Sequence, residues 1–249
     1  MKLKGVGKKM IKICDRHGPY ETQEVVILGM HFEINCPQCE LEKAEKESKE
    51  NALIAARNLQ ADFLRRGIEE EYFSANLEKY IAENESERKA LEAVKELESG
   101  EISKLLLLGS NGVGKTFLSC ALAIKLHGVR LTMYELSAKI RAGFNRGECE
   151  LDFLNSLLDF PLIVLDEIGR TKGSEAEKNW LSYLIDKAHT RKIKLLLISN
   201  RHLAKSLPAD RKGEAIENFF DNDVISRLRQ DSKIVEVIGR DRRAPAVAL

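Results

Sequence analysis

The residues best suited to chemistry cluster in three places. The first is Gly109-Ser110-Asn111-Gly112-Val113-Gly114-Lys115-Thr116, which satisfies G-x-x-x-x-G-K-[ST] at every fixed position. Glycines at this spacing let successive backbone N–H groups turn inward toward phosphate oxygens, and a helix starting at the end of the loop adds its positive pole. Lys115 suits the β and γ oxygens of ATP, and the Thr116 hydroxyl suits Mg2+. Phe117 follows directly as part of the same nucleotide-binding run. The second place is Pro161-Leu-Ile-Val-Leu-Asp166-Glu167, an apolar run ending in two carboxylates. Asp166 suits Mg2+, through water, and Glu167 suits the orientation and polarisation of an attacking water. The adjacent pair favours hydrolysis over nucleotide binding alone, with a loop or cap pair as the bland alternative. The third place is Cys14-x-x-His17 with Cys36-Pro-Gln-Cys39, the Cys3His composition of structural zinc sites. Four protein ligands leave no open position, so the Zn2+ expected here is structural. His31 lies outside the paired spacing, and Cys120 and Cys149 read as ordinary residues.

Weaker signals follow further along. Asn200 ends the run Leu195-Leu-Leu-Ile-Ser199, where it either reaches the γ-phosphate and its water, in a sensor-1-like position, or caps the strand. Arg240, Arg242 and Arg243 follow the last strand. Either one of them, Arg243 foremost, touches the nucleotide in a sensor-2-like way, or they form a basic patch. Tyr72, Phe73 and Asn76 are candidates for the adenine pocket.

These groups need elements to position them. The chain has 249 residues, 43% hydrophobic and 32% charged, with net charge +1. That suits one medium domain plus something smaller, and any nucleic-acid contact must come from local patches. One such patch is Lys2, Lys4, Lys8, Lys9 and Lys12, which precede the first acid, Asp15; a solvated tail is the competing reading. No apolar run is long enough to span a membrane, and no apolar signal core follows the basic start, so a cytoplasmic location is expected. In a reducing compartment, clustered cysteines point to metal more than to disulfides.

Three regions differ in character. Residues 1–39 are expected to form a zinc-binding N-terminal region, too small to hold itself with a core. Residues 40–68 are expected to form a helical linker, since 40–99 is rich in Glu, Lys and Ala and contains no proline. Helices are expected over Leu41–Arg66, with Leu53, Ile54, Leu59, Phe63 and Leu64 as the apolar positions, and over Glu83–Leu97. Residues 69–249 are expected to form the ATPase domain. There, apolar runs at Lys104–Leu108, Arg130–Glu135, Leu162–Leu165, Lys194–Ser199 and Ile234–Ile238 read as strands. Helices fall between them near Thr116–Leu126, Ala138–Gly143, Glu150–Leu158, Glu175–Arg191 and Asn222–Arg229. Continuous apolar strands alternating with helices imply an α/β fold with a mainly parallel sheet covered on both faces.

Together these residues resemble the DnaC/IstB group of AAA+ ATPases, especially DnaC- and DnaI-type replicative helicase loaders. The resemblance runs from about Tyr72 to Arg243. It rests on Gly109–Thr116, a Met133-Tyr134 strand leading to Phe144, Leu162–Gly169, Ile198-Ser199-Asn200 and Ser226-Arg227-Leu228. The N-terminal Cys-x-x-His-Gly with Cys-Pro-x-Cys is similar to the zinc-bearing front end of many loader-type relatives. The resemblance implies a P-loop AAA+ fold and an arginine finger, Arg227 in preference to Arg229, reaching the nucleotide of a neighbouring subunit. It further implies self-association into a ring or spiral when ATP is bound, a grip on single-stranded DNA, and a hexameric DnaB-like helicase as partner. Hydrolysis would then release the loader. The chain departs from many relatives at Ala188-His-Thr-Arg-Lys-Ile-Lys194, where they carry an Arg–aromatic pair and a proline, so no DNA-contacting residue is carried over.

An IstB-like transposition helper, acting with a transposase on duplex DNA, shares the ATPase motifs; the Cys3His set argues against it. A zinc-dependent interaction module with a mere nucleotide switch would not need Asp166, Glu167 and Arg227 together. A small-molecule kinase would need a substrate lid, for which the sequence carries no sign.

Overall fold

A computed structural model describes residues 6–27, 30–33, 35–170, 174–220 and 222–243. Lys2 and Lys4 lie outside the described residues, as do the side chains of Lys8, His31 and Arg229. The chain divides into two compact units, Met1–Ala61 and Asp62–Leu249.

In the first unit, β1 (Val6–Cys14), β2 (Gly18–Ile27) and β3 (Met30–Glu33) form an antiparallel sheet in that order. The β1–β2 turn sets Cys14 opposite Gly18. A long helix, α1 (Pro37–Arg65), follows. Pro37 suits the first helical position, where its missing N–H costs nothing. The helix starts earlier than the expected Leu41. Of its five expected apolar positions only Phe63 is buried, while Leu53, Ile54, Leu59 and Leu64 are exposed. Among the described side chains of residues 6–61, Thr22 and Cys36 are the buried ones.

The second unit is built on β4 (Lys104–Leu108), β5 (Val129–Thr132), β6 (Leu162–Asp166), β7 (Lys194–Ile198) and β8 (Ser232–Glu236). All pairings are parallel, in the order β5-β6-β7-β4-β8. The uninterrupted apolar runs follow from burial on both faces. In β4, Leu106 and Leu108 join the core on one face and Leu105 and Leu107 the core on the other. β6 and β7 divide in the same alternating way. Each such leucine contributes about 1.5–3 kcal/mol on leaving water. Helices α2 (Glu85–Ser99) and α3 (Lys115–Lys125) cover one face. Helices α4 (Met133–Phe144), α5 (Glu150–Leu157), α6 (Glu175–Arg191) and α7 (Asn222–Arg229) supply the other core. Asn84 caps α2 by accepting from Glu87 N, and Gly100 ends it in the left-handed conformation.

Two expectations need correction. The strand expected over Arg130–Glu135 ends at Thr132, and Met133 and Tyr134 open α4 instead of belonging to a strand. The cause is a capping box: Thr132 accepts from Glu135 N, and the Glu135 carboxylate reaches back to Thr132 N at 2.7 Å. The last strand spans Ser232–Glu236, not Ile234–Ile238. As an edge strand it is only half buried, so apolarity marks its limits poorly.

Candidate active site and metal centre

The carboxyl ends of β4 and β6, with Asn200 just after β7, converge on a cavity of about 450 Å3. This is where open parallel sheets place their ligands. Asn111, Gly112, Gly114, Lys115, Thr116, Phe117, Asp166, Glu167, Asn200 and Arg243 all line it. Gly109, Ser110 and Val113 shape the loop without lining the cavity. Gly109 is obligatory: its φ is +129°, and an added Cβ would lie 2.1 Å from the Val237 carbonyl oxygen. Gly114, at φ +94°, would bring a Cβ within 2.8 Å of the Tyr80 ring.

Lys115 is buried and donates to the carbonyls of Gly109 and Ser110, both at 2.7 Å. Burial pushes its pKa down to about 8, Asp166 opposes that shift, and Arg243 adds to it. Thr116 Oγ1 donates to Asp166 Oδ2 at 3.3 Å, so the two groups expected to hold Mg2+ are neighbours and fit that ion's preference for oxygen. Asp166 Oδ1 accepts from Glu167 N at 2.7 Å. Glu167 itself has φ +60°, a left-handed conformation rare for a residue with a side chain, and its carboxylate accepts from Arg170 Nη1 at 2.6 Å.

Other expected residues sit elsewhere. Arg227 does not line the cavity; it is exposed and paired with Asp186 of α6. Of the adenine candidates, Tyr72 lines the cavity. Phe73 packs on Phe63 at 5.4 Å, and Asn76 accepts from Glu78 N in a short 3-10 turn, so neither reaches it. Sequence reasoning missed Tyr80, whose hydroxyl donates to Val113 O at 3.3 Å and whose ring lies 6.1 Å from that of Phe117. Arg242 covers Tyr80 at 4.7 Å, donates from its backbone to Gly112 O at 3.0 Å, and pairs with the fully buried Glu87 at 2.6 Å. Arg130, also outside the sequence motifs, lines the cavity and donates to Asp166 Oδ2 at 2.8 Å. The available signal was a charged residue inside an apolar strand.

In the first unit, the ligand atoms of Cys14, His17, Cys36 and Cys39 all lie within 4.8 Å of one another. Cys14 Sγ is 3.5 Å from Cys39 Sγ, and His17 Nδ1 lies 3.3 Å from Cys39 Sγ and 3.6 Å from Cys36 Sγ. Such separations are near those of a tetrahedron with Zn–S of about 2.3 Å and Zn–N of about 2.0 Å, so the residues fit zinc. His17 Nε2 faces Glu42 Oε1 at 3.1 Å, leaving Nδ1 as the ligating atom and a carboxylate behind it. Backbone N–H groups of Arg16 and His17 hold the Cys14 thiol down at about 6, while its hydrogen bond with Cys14 pushes Cys39 up to about 11, so of this pair Cys14 is the one held as thiolate.

A parallel five-stranded sheet carrying this loop, lysine and acidic pair defines a P-loop ATPase of the AAA+ type. Residues 74–244 match the family described as IstB-like ATP binding protein, and the chain belongs to it. It is 28% identical over 184 residues to the replicative helicase loader DnaC of Buchnera aphidicola subsp. Schizaphis graminum, covering 70% of this chain and 71% of that protein. Among solved structures, the DnaC helicase loader superposes with a TM-score of 0.57 at 23% identity, covering 68% of this chain and all (100%) of that one. The replication initiator DnaA bound to AMPPCP and single-stranded DNA gives 0.56 at 20% identity, covering 68% of this chain and 51% of that one. At those identities the likeness is one of fold. No helix among the described residues is long and apolar enough to cross a membrane.

Proposed function

We propose that this chain is a cytoplasmic, ATP-dependent loader of a replicative DNA helicase onto single-stranded DNA. The observation that carries the reading is the likeness to a replicative helicase loader over 184 residues. The fit of the N-terminal residues to zinc supports it. In this reading residues 1–39 bind structural Zn2+ and dock on a hexameric DnaB-like helicase, 40–68 link, and 69–249 form the motor.

The residues divide the work as follows. Gly109 to Phe117 cradle the phosphates, and Lys115 neutralises the β and γ oxygens. Mg2+ held by Thr116 and Asp166 would supply further neutralisation of the phosphate charge. Glu167 orients the attacking water, and Asn200 holds that water or the γ oxygen. Arg243, beside Lys115, meets the nucleotide. Arg227 reaches the nucleotide of a neighbouring copy and stabilises charge that develops in the transition state, which fits its exposed place outside its own cavity. ATP binding thereby favours a ring or spiral that grips single-stranded DNA, and hydrolysis loosens it.

The test is capture of a purified replicative helicase hexamer by the full-length protein and by its Cys36→Ala variant. Capture by the first and loss with the second supports a loader that docks through its zinc-bearing end. Capture of a transposase or duplex DNA in place of helicase would establish the transposition-helper reading.

A further inference from the structure

Arg130 lies in the middle of β5 between Val129 and Leu131, and it is buried. Placing a guanidinium there is costly unless it is paired. Its partners are few and specific. Nη2 donates to Asp166 Oδ2 at 2.8 Å, and Nη1 is 3.3 Å from both Gly67 O and Glu69 Oε1. Nε is buried with no partner among the described residues. Packing alone would be served better by an uncharged side chain, so the charge itself needs a reason.

The geometry supplies one. Both oxygens of Asp166 are engaged: Oδ1 by Glu167 N, Oδ2 by Thr116 and Arg130 together. A cation arriving at Asp166 and Thr116 must share Oδ2 with a fixed positive charge. At such range in a partly dry site, like charges repel strongly. The opposing carboxylate, Glu69, is 60% exposed, against 6% for Asp166. Arg130 thus divides its charge between one buried acid and one exposed acid.

We propose that Arg130 is a built-in counter-cation of Asp166, a positioning residue that holds this carboxylate and sets how much Mg2+ nucleotide binding requires. The proposal rests on the nucleotide-site reading of Thr116 and Asp166 and extends it to a residue outside every motif. Glu69 moderates the effect by drawing part of the guanidinium charge away.

The experiment measures affinity of the full-length protein for a fluorescent ATP analogue across Mg2+ concentrations, with EDTA as the metal-free reference and melting temperature as the check on folding. Arg130→Gln keeps planar donors and removes the charge; its half-saturating Mg2+ should fall about three- to tenfold, with the affinity in EDTA little changed. Arg130→Lys keeps the charge and should stay near wild type. Glu69→Gln, at an exposed position, should raise the requirement about twofold. An unchanged or higher Mg2+ midpoint in folded Arg130→Gln overturns the proposal, as does a lysine variant that shifts like the glutamine one. Should Arg130→Gln not fold, Glu69→Gln decides: an unchanged or lower midpoint overturns it. Wild-type protein that binds no nucleotide at any Mg2+ concentration overturns the site reading and this proposal with it, a result distinct from normal binding without the shifts.

Discussion

Glu167 lines the cavity in a left-handed conformation, with Arg170 on its carboxylate. A residue kept there to orient water should be dispensable for binding. Glu167→Gln is therefore expected to bind ATP as the wild type does while turnover falls at least about 100-fold, measured by phosphate release beside nucleotide affinity. Lys115 gives a pH prediction. Burial holds it at about 8, so it binds fewer protons in the folded than in the unfolded chain between there and the ordinary lysine value. The cost of charging it is fully present below about pH 8 and is relieved as pH rises. Triphosphate oxygens reverse the shift, so ATP binding should take up a proton at about pH 8.5 and none through Lys115 at about pH 6.5. Calorimetry in buffers of different ionisation enthalpy reads this directly. At this scale the sequence was legible in which residues gather: Lys115 and Thr116 meet Asp166 and Glu167 at one cavity, and the Cys3His set closes to within 4.8 Å. Arg130 and Tyr80 were not legible, because what each does depends on partners far along the chain, Asp166 for one and Val113 for the other.

At the level of elements, strands buried on both faces were readable because apolarity is their only demand; Lys104–Leu108 has the bounds expected, as do helices Glu175–Arg191 and Asn222–Arg229. The start of α4 was misread because Leu131-Thr132-Met133-Tyr134 has strand-like composition, while Thr132-x-x-Glu135 carried the capping signal that wins. The N-terminal sheet presents a different balance. Ile11 and Ile13 are exposed, and little is buried among its described side chains. Metal should therefore supply much of its folding energy. Zinc analysis is expected to find about one ion per chain. Chelation should unfold residues 1–39 and leave ATP affinity intact, as followed by circular dichroism beside nucleotide binding.

For the whole molecule, the fold gathers Lys115, Thr116, Asp166 and Glu167 at one cavity but leaves Arg227 outside it, exposed and paired with Asp186. An assembly in which each copy completes the next predicts a particular pattern. Arg227→Ala should spare ATP binding and lower hydrolysis roughly a thousandfold, and only under conditions where the protein assembles. Mixing it with a Lys115-substituted chain should restore activity at the mixed interface, since each partner supplies what the other lacks. Failure of every mixture to recover turnover would remove the role in trans.

The family match starts at residue 74, but the edge of the ATPase sheet is guarded from further upstream. Arg130 N donates to Arg66 O at 2.8 Å, and Arg66 Nη1 reaches the carbonyls of Ala123 and Gly128 at 3.0 Å. The stretch from Arg66 to Glu69 therefore acts as a selvedge on β5, shielding hydrogen-bonding groups that would otherwise invite another strand. A chain cut at 74 should precipitate or form large aggregates on expression, while one cut at Asp62 should remain dispersed, as light scattering would read.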